Sequence, residues 1–344
     1  MSPLHQYPHR EFVHLADHEQ RPAILQRWER RRHREAHWLV ECIAESVGVF
    51  LYVYAGVGSA MANVFGNTEQ VAGLSSTLQI GLAYVVGIAL ALIIVSGTSG
   101  GHINPAVTLT LVILKKYPKW KAVRYIIAQI LGSYIACLLI YVQWRQMIQE
   151  AEAVLAAKGT LDAVLFTPQG PAGAFALYVT PGTKLGFVFV NEFVVDFVIG
   201  LTIFACLDPT NFAVSPVAAP WVVGLVYGMV IWGYSPVGVA TNLARDVGAR
   251  FMAMTIWGTG ASGGRYAAIA ALTNIPATFL AACFYEFVFA DSSRVITPTH
   301  LDIIVGHMAH EEHSGCAVTG RPRSSANSGS SMDGKGRVQT IEKV

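Results

Sequence analysis

The stretch Ser99-Gly100-Gly101-His102-Ile103-Asn104-Pro105-Ala106-Val107 decides the fold. It follows one long apolar run and opens another, Val107 to Leu114, so an Asn-Pro pair stands at what hydropathy makes membrane depth. Asn is a favoured N-cap, and Pro suits the first helical position because the N–H it lacks has no partner there in any helix. The pattern predicts a short helix that begins abruptly inside a bilayer. Hydrocarbon tolerates such a break only where the freed backbone lines a cavity or is buried in protein. The stretch points to a pore.

The rest of the chain agrees with a membrane setting. Hydrophobic residues make up 53% of the 344 and charged ones 13%, with a mean hydropathy of +0.44, against about 25% charged in a soluble domain. Runs of about twenty apolar residues, enough to cross a bilayer, recur and predict six spans near 38–60, 77–98, 121–144, 185–207, 217–235 and 266–290. The fold class expected is an all-α membrane protein of six transmembrane helices plus two re-entrant half-helices. Residues 37–290 form the channel domain, 1–36 a polar basic N-terminal tail and 291–344 a Ser/Gly-rich, disordered tail. No cleavable signal peptide is visible near Met1.

Charge placement sets the orientation. Arg27-Trp28-Glu29-Arg30-Arg31-Arg32-His33-Arg34 is either a solvated helix face or a basic cluster against anionic cytoplasmic lipid, and its position before the first span favours lipid. Lys115-Lys116-Tyr117-Pro118-Lys119-Trp120-Lys121 is a dense basic loop, expected inside; the loop after span one carries Glu69 and neither Lys nor Arg, which suits the outside. An even number of spans puts both termini in the cytoplasm and the Gly/Pro-rich loop 148–184 outside. The basic N-terminus, the tail and that loop are each long enough to cover a pore mouth. Arg321-Pro322-Arg323-Ser324-Ser325 reads equally as a phosphorylation motif or as unmodified tail. Cys42, Cys137, Cys206, Cys283 and Cys316 have neither metal-ligand nor redox spacing and read as small hydrophobes.

The two halves echo each other. Glu45 in span one precedes Asn104-Pro105-Ala106 by 59 residues, and Glu192 in span four precedes Asn242-Leu243-Ala244 by 50. Three spans per half invert the second half relative to the first, and inverted repeats place their site at the midplane between them. Two helix N-termini would meet there, presenting partial positive charge and free N–H donors. With the Asn104 and Asn242 amides they offer donors to a neutral hydroxyl, whereas a cation meets an unfavourable field. Each Asn alone reads as a plain cap; two at matching repeat positions read as a lumen pair.

Arg245 inside apolar sequence must face water or a partner, either the lumen or a salt bridge such as Asp246. Glu45 and Glu192 read as acceptors for the N–H groups of the non-helical loops rather than as proton relays, since no acidic partner stands in the adjoining spans. With no nucleophile–base pair, metal cluster or phosphate loop in the sequence, an enzyme is not expected; nor is a cofactor, a metal or a nucleic-acid partner.

On these residues the chain closely resembles the aquaporin, or major intrinsic protein, family over about residues 38–290. The resemblance implies an aquaporin-like inverted repeat, a homotetramer with one pore per subunit, and passive conduction of water or small neutral solutes. Asp246 directly after Arg245 resembles the glycerol-conducting branch. The resemblance also carries a selectivity filter onto Tyr84, twenty residues before Asn104; Val239 and Arg245, three either side of Asn242; and a span-five position near Val230, whose loop leaves a one-residue ambiguity. An aromatic wall, apolar neighbours and one arginine suit glycerol. Leu243 departs from the family's Asn-Pro-Ala and puts permeant size and rate in question. The implied protein is an integral plasma-membrane channel for glycerol, water and small neutral solutes in contact with membrane lipid. A proton-coupled transporter using Glu45 or Glu192, and a non-conducting membrane adaptor, are the alternatives.

Overall fold

The computed structural model describes residues 14–68, 76–233 and 238–319. These form two compact units, one of residues up to Glu35 together with those from Ile304, the other Ala36–Ile303. The smaller unit holds α1 (Leu15–His18), α2 (Ala23–Arg31) and most of a π-helical turn, Arg32–Ala36. In it the His33 ring meets His310 at 6.0 Å, and Ile24, Leu25 and Trp28 stay exposed on α2.

The larger unit carries the spans. They are α3 (His37–Thr68), α4 (Thr77–Ser99), the short α5 (Pro105–Leu114), then α6 (Lys119–Ala157). A four-residue α7 (Leu161–Val164) and a 3-10 turn (Pro171–Ala174) lead to α8 (Leu185–Leu207), α9 (Ala219–Gly233) and α10 (Leu243–Trp257). A 3-10 turn (Thr259–Ser262) precedes α11 (Gly264–Leu272) and α12 (Asn274–Val288). The last two make one span, interrupted at Thr273 because Pro276 offers no N–H and its ring crowds the carbonyl four residues back.

Exposed apolar residues run in stripes at helical spacing. Val123, Ile127, Leu131, Ile135 and Leu139 on α6, and Leu78, Leu82, Val86, Leu90 and Ile94 on α4, turn outward. Such stripes face lipid tails as naturally as a core. Among the described residues five helices are long and apolar enough to cross a membrane; the described part of α9 has 15 residues, about 22 Å against a hydrocarbon core of about 30 Å.

The inverted repeat is visible in the packing. α3 lies against α4 and α6, α8 against α9 and α12. Each half-helix packs on the third span of the other half: α5 on α12, α10 on α6. α3 and α6 approach so closely that a Cβ on Gly132 would overlap the Ser46 carbonyl, the small-residue contact that lets membrane helices pack without a hydrophobic drive.

Three expectations change. Span three runs on to Ala157 rather than ending near 144, because Ala, Glu, Gln and Met continue it and Ile148 and Ala151 are buried. The loop expected over 148–184 is correspondingly shorter. The tail from Asp291, expected to be disordered, contains α13 (Pro298–Thr319). Its Leu301, Val305, Met308 and Ala309 recur at helical spacing, with Val305 and Ala309 buried. Glu69 and the stretch Arg321 to Ser325 lie outside the described residues, as does the Cys316 side chain; the other four cysteines are free thiols.

Candidate functional site

The site grows from the two interrupted loops. α4 ends on Gly100, left-handed at φ 88°, and the chain returns through Gly101 and His102 to Ile103 at φ 42°. On the other side Thr241 stands at φ 57°, one residue before Asn242 as Ile103 is one before Asn104. A β-branched residue in this region costs about 1–3 kcal/mol and persists only when its surroundings impose it. The buried carboxylates impose it. Glu45 takes the N–H groups of His102 (2.9 Å) and Ile103 (2.7 Å), the Ser99 hydroxyl (2.6 Å) and the Gln129 amide (2.7 Å). Glu192 takes those of Ala240 (2.9 Å) and Thr241 (2.6 Å).

Each strained residue hands its chain to a helix cap. The Asn104 side-chain oxygen accepts from Ala106 N–H (2.8 Å); that of Asn242 accepts from Ala244 (2.9 Å) and Arg245 (3.2 Å). Pro105 and Leu243 are the first residues of α5 and α10. The amides then cross: Asn242 Nδ2 donates to the Ile103 carbonyl (2.9 Å), and Asn104 Nδ2 to the Thr241 carbonyl (3.4 Å). Both asparagines are 2% exposed. The half-helices are thus held tip to tip by bonds in which residue 243 takes no part. Each Nδ2 carries a second N–H outside this bracing; that of Asn104 has the Tyr227 hydroxyl beside it.

At one mouth stands Arg245, 4% exposed. Its Nε donates to the Tyr84 hydroxyl (3.3 Å) and its Nη1 to the Phe175 carbonyl (2.8 Å). Val230 and Val239 join the same apolar cluster as Tyr84, Tyr52 and Tyr227. A Cβ on Gly56 would overlap the Tyr84 ring, so that glycine makes room for the aromatic wall. Asp246 does not pair with Arg245. It takes Arg250, one turn on, through Nη2 (2.5 Å) and Nε (3.2 Å). Arg250 in turn donates to the Leu177 and Ser262 carbonyls, and its guanidinium lies 5.7 Å from the Tyr178 ring centre. Burial raises the Tyr178 hydroxyl to about 12, so it remains a donor to the Ala261 carbonyl at 2.9 Å.

The structure places Glu45, Glu192, Asn104, Pro105, Ala106, Asn242, Leu243 and Ala244 around the two loops, Arg245 against Tyr84, and Val230 and Val239 in the same apolar cluster as Tyr84, while Asp246 turns to Arg250. It adds others. Phe175 and Leu177 come from the loop before α8 and pin both arginines by main-chain carbonyls, a role that leaves no side-chain signature. Asp196 is fully buried one turn after Glu192, so Glu192 has an acidic neighbour on its own helix; neither Asp196 oxygen has a hydrogen-bond partner among the described residues. An acidic i, i+4 repeat inside a span was a readable signal. A separate cavity of about 400 Å³ lies where α8, α9 and α12 meet, lined in part by Thr202, Asn211, Tyr285 and Arg294, and touches none of these residues. Among the described residues no group of three His, Cys, Asp or Glu side chains is placed to hold a metal.

Six spans' worth of helix, two half-helices joined at their N-termini and a buried arginine at one mouth define an integral membrane protein of channel type. The model of the major intrinsic protein family matches residues 32–260, and the chain belongs to that family. It is 50% identical to Aquaporin-3 of Laccaria bicolor over 303 residues, 88% of this chain and 92% of that one. It is 34% identical to the glycerol uptake facilitator protein of Haemophilus influenzae over 229 residues, 65% of this chain and 83% of that one. In fold it matches the X-ray structure of the aquaglyceroporin from Plasmodium falciparum, with a TM-score of 0.62 and 22% identity over 74% of this chain and 97% of that one.

Proposed function

We propose that the chain is a passive channel for glycerol, water and other small neutral solutes. The observation that carries the reading is the cross-bonded pair of asparagine caps, with Arg245 and Tyr84 at the mouth above it. Tyr84, Val230, Val239 and Arg245 form the filter: hydroxyls bond the guanidinium while CH groups lie on the aromatic and valine side. Two helix N-termini and a fixed cation at the same conduit oppose cations and hydrated protons. Glu45 and Glu192 hold the loops, and Asp246 acts through Arg250 to fix the loop that carries Phe175. The glycerol uptake facilitators among the relatives support the permeant class. The protein assembles as a homotetramer in the plasma membrane with both termini cytoplasmic and its outward apolar stripes against lipid.

Asp196 beside Glu192 is the one observation favouring a proton-coupled transporter. Against it, Glu192 is committed to two main-chain N–H groups of a strained loop and has no freedom to shuttle a proton. Stopped-flow measurements on proteoliposomes test both readings. Downhill glycerol and water flux, unchanged when the proton gradient is collapsed, is expected. Uptake that needs the gradient supports the transporter, and no flux of any solute supports the adaptor.

A further inference from the structure

Tyr52, on α3, is 3% exposed, yet its hydroxyl has no hydrogen-bond partner among the described residues. Leaving a buried polar group unpaired costs about 1–3 kcal/mol, so such a group needs a reason. Its surroundings supply one. The Tyr52 ring lies 6.5 Å from Tyr84, tilted by 45°, and within electrostatic reach of Tyr227 and Arg245. Tyr84 receives the Arg245 Nε–H, and the Tyr227 hydroxyl lies beside the Asn104 amide. Tyr52 therefore packs in the same cluster as Tyr84 and Tyr227, which meet the arginine at the mouth and the asparagine pair.

Among the side chains there donors outnumber acceptors, and the Tyr227 oxygen is already met by the Asn104 amide. Arg245 can only donate, the asparagine Nδ2 groups can only donate, and both asparagine oxygens are spent on helix caps. The Tyr84 oxygen already accepts from Arg245. A polyol hydroxyl whose oxygen accepts from Arg245 still carries a proton that needs an acceptor. A phenol can accept that proton's bond and donate its own.

We infer that the Tyr52 hydroxyl is a hydrogen-bonding subsite of the conduit, taking a hydroxyl of the permeant polyol between the Arg245–Tyr84 pair and the two asparagines. This rests on the channel reading above. It makes Tyr52 a specificity-determining residue that favours solutes with a hydroxyl at every carbon.

The test is Tyr52→Phe, which removes one oxygen and keeps the ring. Wild type, Tyr52→Phe and the control Tyr134→Phe, whose hydroxyl meets Thr255 at 3.3 Å instead, are reconstituted and compared for glycerol and for 1,3-propanediol, which lacks the middle hydroxyl. Glycerol permeability is expected to fall about fivefold, the worth of one neutral hydrogen bond, and the glycerol to propanediol ratio to fall with it, with Tyr134→Phe unchanged. A ratio unchanged in Tyr52→Phe, or an equal loss for both solutes, overturns the inference. So does a gain in thermal stability at constant flux, the signature of an oxygen buried in dry protein. Absence of glycerol flux in the wild type overturns instead the channel reading on which the inference rests.

Discussion

Replacing each buried glutamate by glutamine separates two anchors that look equivalent. Around Glu45 four donors are shared two to an oxygen: Ser99 and His102 on Oε1, Ile103 and Gln129 on Oε2. Glutamine has one acceptor oxygen, so either orientation turns its NH2 toward one main-chain N–H that can only donate, His102 or Ile103, beside a Ser99 hydroxyl or Gln129 amide that can turn to accept. Hydrogen bonds to a charged group are worth about 1.5–3 kcal/mol each, and losing one while leaving a buried main-chain N–H unsatisfied, about 1–3 kcal/mol more, costs about 3–6 kcal/mol. Around Glu192 both main-chain N–H groups reach Oε1, with Oε2 a second, longer contact at 3.1 Å to Ala240. Glutamine can place its oxygen at Oε1 and keep both bonds. What it loses is the charge assistance, about half their strength, and it removes a like charge one turn from Asp196. The expected cost is about 1–2 kcal/mol. Thermal unfolding of the purified variants, read beside water permeability, gives the comparison. Glu45→Gln is expected to lose more than twice the stability of Glu192→Gln and to conduct less. A Glu192→Gln variant as damaged as Glu45→Gln would refute the reasoning.

Two further outcomes follow from the geometry around the second half-helix. Asp246→Asn strands the buried Arg250 cation among neutral carbonyls, which costs about 3–5 kcal/mol; replacing both residues by leucine is expected to cost far less than the sum of the singles, and a double-mutant cycle giving additive values would sink the pairing. Leu243→Pro is expected to leave flux unchanged and stability within about 1 kcal/mol, because the first helical N–H is unpaired in any helix and the tip-to-tip bonds bypass residue 243; a large change in glycerol rate would restore that side chain to the conduit.

The departure at Leu243 is thus where sequence and structure part company. From the motif alone, a missing proline puts the junction of the half-helices in question. In the folded chain that junction is made by asparagine amides reaching the carbonyls of Ile103 and Thr241, so the substitution falls beside the contact rather than in it. Asp246 shows the converse. Its neighbour in sequence is Arg245, but the helix places Asp246 beside Arg250, four residues on, and Arg245 is left to Tyr84 and the Phe175 carbonyl.

What the sequence determined by itself is what local chemistry and periodicity encode. Apolar runs long enough to cross a bilayer, an Asn cap at the head of each half-helix, a glutamate upstream of each and arginine inside apolar sequence are all consequences of burying polar groups in hydrocarbon, and that cost leaves a mark on composition. Three things were decided only by the tertiary structure. Ile103 and Thr241 adopt positive φ although their β-branched side chains oppose it, because a distant carboxylate holds the N–H of each. The loop before α8 reaches the arginines by main-chain oxygen, an atom every residue possesses and no sequence can single out. Tyr52 reads as one more apolar residue of a span until its unpaired oxygen is seen among Tyr84, Tyr227 and Arg245. In each case the determining partner lies on another segment of the chain, and only packing brings it near.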